Sequence, residues 1–219
     1  MVLDAFKKYP SQVSSAFRRF PVASALAFFT FFALVYSTEH TEIFERLAGM
    51  RFLAWLGIYP VAAMLISLTT SLVQESLKNE SKLPQAISGA AWLALSIILA
   101  FGITSSVAMQ FSLLAHYSTL TYYFIASTAL VYVTATLGIF IAPFWKNKDE
   151  NAFWIFLFKN LKALVVAALV TALLLASVEA LVFCFGALFE HEFDEKVYFY
   201  IFYFCASAVF PILYFSGIP

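Results

Sequence analysis

Apolar residues in this chain come in long unbroken runs, neither alternating nor amphipathic. Lys, Arg and Asp are absent from Phe52 to Val73, Ala86 to Met109, Leu120 to Ala142 and Ala163 to Gly186, and Glu179 is the only Glu in these runs. A bilayer core of about 30 Å needs about 20 such residues in a helix, so each run is long enough to span. Strands of a membrane barrel would alternate apolar and polar over segments of ~10 residues, and these runs do not. With two further apolar segments, the pattern predicts helices at about 21–37, 52–73, 85–109, 119–142, 163–186 and 197–217. The expected fold is all-α: a polytopic transmembrane helix bundle of about six helices, forming one domain over 1–219.

The segments between the runs refine this. Residues 1–20 carry Lys7, Lys8, Arg18 and Arg19 ahead of a short apolar run from Pro21 to Tyr36. That order resembles a signal peptide, but the charged leader is long and no clean small-x-small cleavage site follows, so a retained first helix is expected. Pro60 lies inside the second helix, where it removes a hydrogen bond and favours a kink. Polar residues from Gln74 to Pro84 form one linker and Trp145 to Asn151 a second. After the second, Phe153, Trp154, Phe156 and Phe158 alternate with Lys159, Asn160 and Lys162. Rings and lysines together favour the headgroup zone, so 152–162 reads as an interfacial lead-in to the fifth helix.

Composition agrees with the pattern. Of 219 residues, 63% are hydrophobic and 12% charged, where a soluble domain of this size would carry roughly a quarter charged residues. The 13 basic and 13 acidic residues balance. No basic face remains outside the runs, which excludes nucleic acid as an expected partner. With the N-terminus inside, the inner segments hold Lys7, Lys8, Arg18, Arg19, Lys78, Lys82, Lys146, Lys148, Lys159 and Lys162, against Arg46, Arg51 and Lys196 outside. That bias predicts both ends in the cytoplasm.

Candidate chemistry is sparse. Glu179 lies roughly two turns, about 12 Å, from the outer end of the fifth helix. An ionisable group there is costly unless paired or neutralised, so it should face protein or water. Ala168, Ala172, Ala176 and Ala180 form a small-residue ridge on the same helix, suited to close helix contact, and Glu179 shares that face. Tyr203, Cys205 and Ser207 are its candidate neighbours in the sixth helix. The carboxyl is either a proton or cation site or a protonated acid bonded to a neighbouring helix. A second ridge, Ser96, Ala100, Thr104 and Ala108, and the hydroxyls of the third and fourth helices could line a polar path or knit helices together.

The three histidines, His40, His116 and His191, all fall in predicted outer segments and are weak candidate metal ligands. Cys184 and Cys205 lie in apolar runs without CxxC spacing and read as buried structural thiols. No phosphate-cradling glycine loop, HExxH or GxSxG occurs. Neither a cofactor nor enzymatic activity is therefore expected. The expected partners are the lipid bilayer and other proteins or further copies, met through small-residue helix faces.

Several elements, Phe17-Arg18-Arg19-Phe20-Pro21, Ala142-Pro143-Phe144, Phe153-Trp154 with Asn160-Leu161, Leu188-Phe189 and Phe215-Ser216-Gly217-Ile218-Pro219, resemble an uncharacterised bacterial multispanning family. It is known only as domain of unknown function four-one-five-three. The resemblance implies a bacterial inner-membrane location and carries over no site residue. It also implies further helices beyond the Gly-Ile-Pro element, and hence a longer parent protein. The functional expectation is a transporter-like protein or a membrane subunit of an envelope complex, with a scaffold lacking a transport path as the alternative. A membrane-embedded enzyme is a distant third.

Overall fold

The computed structural model describes residues 13–39, 50–77, 83–94, 117–144, 150–190 and 193–219. These are almost entirely helical, with no strand among them. The chain divides into a terminal unit, Met1–Glu39 with Glu150–Pro219, and a central unit, His40–Asp149.

The terminal unit begins with a short helix α1 (13–19), which Pro21 separates from α2 (Pro21–Glu39). Proline lacks an N–H and suits the first turn of a helix. The chain still passes smoothly, because Phe20 N–H donates to Ala16 O and Ser24 N–H to Phe20 O. Two longer helices complete the unit: α6 (Glu150–Phe189) and α7 (Glu195–Gly217). All three of α2, α6 and α7 are long and apolar enough to cross a membrane.

At 40 residues, α6 is about 60 Å long, twice the thickness of a hydrocarbon core. The segment expected as a separate lead-in, 152–162, is its N-terminal part. Nothing in the sequence stops the helix there: α6 contains no proline, and its single glycine, Gly186, comes near its far end. The helix ends where Glu190 takes a left-handed φ of 51°.

Asp194 then opens α7, its carboxylate accepting from Lys196 N–H at 3.0 Å. That cap satisfies an otherwise orphaned donor. Asp194→Ala is expected to cost about 1 kcal/mol, read as a lowered thermal midpoint of the purified protein in detergent. Inside α7, Cys205–Val209 forms a π turn, with Phe210 N–H donating five residues back to Cys205 O. Pro211 follows at once. Its ring crowds the Ser207 carbonyl four residues earlier and it offers no N–H, which accounts for the widened turn.

α2 and α7 run antiparallel, with their pairing fixed at three levels. Phe20 meets Phe215 edge-on at 5.9 Å at one end, and Phe31 meets Phe204 at 5.4 Å further along. At the other end the Tyr200 hydroxyl donates to Glu39, and Lys196 pairs with the same carboxylate at 3.7 Å. Between these, α2 buries Ala23, Ser24, Ala27, Thr30 and Ala33 while Phe29, Phe32 and Tyr36 point outward. In a membrane both faces are apolar, so small side chains mark the face where helices approach.

The central unit contains α3 (Met50–Ser76), α4 (83–94) and α5 (Tyr117–Ile141), the last followed by a 3₁₀ turn at Ala142–Phe144. α3 continues through Pro60 as one helix. It packs on α5, where Thr69 Oγ1 donates to Ala135 O at 3.1 Å and the Thr69 methyl lies against Gly138. It also meets α4, through Ser67 Oγ to Gln85 O at 3.4 Å and a Tyr59–Trp92 ring contact. The helix expected at 85–109 is described as far as 94.

Candidate functional site

Glu179 is half-buried on α6, within electrostatic reach of Cys205 in the π turn of α7. It makes no hydrogen bond or salt bridge among the described residues. Of its expected neighbours, Cys205 and Ser207 are buried and Tyr203 is half-buried. The Ser207 hydroxyl donates to Tyr203 O within its own helix. It is therefore engaged locally.

The packed face of α6 differs from the expected ridge. Asn160, Ala167 and Thr171 are the buried residues, and half-buried Ala163, Leu164, Leu175, Val178 and Val182 continue that stripe. Ala168, Ala172, Ala176 and Ala180 are all exposed in this chain, one step round the helix. Glu179 sits on the border between the two. α6 and α7 approach tightly away from that ridge: a Cβ placed on Gly217 would stand 2.7 Å from the Ala163 Cβ. Cys184, expected as a buried thiol, is exposed, whereas Cys205 is buried.

One end of the terminal unit is basic. Arg19 donates to Ile218 O at 2.8 Å and Pro219 O at 3.0 Å, with its guanidinium 4.9 Å from the Phe20 ring centre. This joins the start of α2 to the last turn of α7, and the Ala163–Gly217 contact brings α6 to the same level. Arg18, Arg19, Lys159 and Lys162 thus share one end, while Glu39, Glu190, Asp194 and Glu195, with Lys196, occupy the other. Next to Lys159, fully buried Asn160 is close to the Tyr214 hydroxyl, yet neither of its amide atoms reaches hydrogen-bond geometry. Between α6 and the last turn of α7 is a cavity of about 340 Å³ lined by Lys159, Lys162, Val166, Val170, Leu213 and Gly217 among others. Glu179 does not line it.

The central unit holds a polar seam, of which only Gln74 falls in the expected linker, while Ser67, Ser71 and Gln85 fall in the expected second and third helices. Ser67, Ser71, Gln74 and Gln85 are buried, and the Gln74 amide and Gln85 Oε1 have no hydrogen-bond partner among the described residues. The signal was present: Ser67, Ser71 and Gln74 recur at helical spacing and mark one face. His40, His116 and His191, and the ridge Ser96, Ala100, Thr104 and Ala108, lie outside the described residues. Compared with protein-family models, curated proteins and solved structures, this chain gives no match.

Proposed function

We propose that this chain is a membrane-embedded subunit of a larger envelope complex, joined to its partner through α6. The observation that carries this reading is the exposure of that helix. Only 11% of its most apolar span is buried within the chain, against 28% for α2 and 33% for α7. Lipid alone accounts for exposed leucine and phenylalanine. It does not account for a half-exposed carboxyl at Glu179, beside four exposed alanines spaced to receive a second helix. A partner helix on the Ala168–Ala180 ridge would cover the carboxyl and supply it with a donor.

In this reading the protein is multi-pass, with six spans and both ends in the cytoplasm. The separation of basic and acidic ends in the terminal unit supports the orientation. The resemblance noted above supports a bacterial inner membrane. A photo-crosslinking residue at Ala172 or Ala176 in native membranes is expected to yield a discrete protein adduct, suppressed by Ala176→Trp. Adducts to lipid alone would overturn the proposal. Labelling of single cysteines is expected to place Lys162 on the cytoplasmic side and Glu190 on the other.

A second reading, a proton or cation path, is favoured by the proximity of Glu179 to the π turn, since such turns recur at functional sites. Loss of a proton- or cation-coupled phenotype in Glu179→Gln, with the fold intact and the crosslink retained, would select it.

A further inference from the structure

We infer that the cavity between α6 and the last turn of α7 is a binding site for an anionic phospholipid. Its rim and its wall differ in chemistry in the way such a molecule does. Lys159 and Lys162 lie one helical turn apart and both are exposed, so two ammonium groups can bracket a single phosphate. From Lys162 the wall runs inward through Val166 and Val170, four and eight residues on, about 6 and 12 Å deeper along the helix. Leu213 faces them from α7. The cavity thus pairs cations at its mouth with an apolar groove directed toward the membrane core.

At about 340 Å³ the volume falls in the range of small-molecule sites. Arg18 and Arg19 are at the same end and add to the positive field, and basic pockets between membrane helices on the cytoplasmic side suit phospholipid headgroups. A free phosphate would meet the lysines but leave the valine and leucine wall in water. The inference rests on the chain spanning the bilayer with this end inward.

The test uses the full chain purified in detergent and native mass spectrometry with phosphatidylglycerol, phosphatidylcholine or inorganic phosphate. Phosphatidylglycerol is expected to bind about tenfold more tightly than phosphatidylcholine, and the double variant Lys159→Gln/Lys162→Gln to abolish that preference. Both lysines are exposed, so the variant should keep the wild-type thermal midpoint. Val170→Trp, which fills the groove while keeping the lysines, is expected to weaken phosphatidylglycerol binding as well. Equal binding of the two lipids, or an unchanged preference in the double variant, overturns the site. Inorganic phosphate competing at equal concentration shows a phosphate site and overturns the lipid assignment. Carbonate extraction and the cysteine labelling above report separately on spanning and orientation, so failure of that reading is distinguishable from failure of the site.

Discussion

Phe20→Ala is expected to destabilise the terminal unit by about 3 kcal/mol, the largest effect of any single truncation there. Phe20 is completely buried, although it occupies the break between α1 and α2 and is flanked by Arg19. Its ring meets Phe215, itself 2% exposed, edge-on, and the Arg19 guanidinium lies over its face. Removing it takes away an aromatic pair, a cation–π contact and the packing that holds the start of α2 on the end of α7. In lipid the transfer contribution is small, because chain interior and surroundings are equally apolar, so the loss is mostly of packing. The Phe20 site lies at the charged end of the unit, where water can enter the space left behind. Thermal unfolding in detergent checks the magnitude. A double-mutant cycle with Phe215→Ala is expected to show a coupling of about 1 kcal/mol. Additive losses would mean that the two rings do not act as a pair.

In the central unit, Leu68→Ala is expected to cost about 2 kcal/mol, near the lower end of the range for buried leucines. Leu68 is fully buried, and Leu72, Ile139 and Ala142 are buried in the same unit. The neighbouring residue on α3, Thr69, is tied to Ala135 O and lies against Gly138, so α3 and α5 cannot readily close on a cavity. The low end is expected for the same reason as above: lipid offers a leucine nearly as good a solvent as the protein does. Leu68→Met, which conserves volume, should recover most of the loss. Equal losses for alanine and methionine would point instead to a specific shape requirement.

The sequence by itself determined that the chain is helical and suited to a membrane. Runs without charge leave no other way to satisfy the backbone in hydrocarbon, and that constraint is local to each segment. It also placed the charges: ten of the thirteen basic residues fall in 1–20, 74–84 and 145–162, outside the long apolar runs. The start of α2 at Pro21 was legible, whereas α7 begins at Glu195 behind the Asp194 cap, two residues ahead of the expected 197. The lead-in at 152–162 looked separate because its hydropathy changes, but hydropathy does not end a helix, and α6 runs straight through it.

Packing faces were decided by tertiary structure. In water the buried face is the apolar one, and periodicity reveals it. In these helices every face is apolar, so small residues alone pointed to the Ala168–Ala180 ridge, and nothing in the sequence singled out the Asn160–Thr171 stripe. Only the placement of α7 chose the second and left the first exposed, with Glu179 at its edge. The basic cavity was invisible for a similar reason. Lys162 and Leu213 are distant in the chain, and the Arg19 bonds and the Ala163–Gly217 contact bring their helices to one level. Segment chemistry therefore followed from sequence, while which segments touch, and which residues face one another, followed from packing among helices that hydropathy does not distinguish.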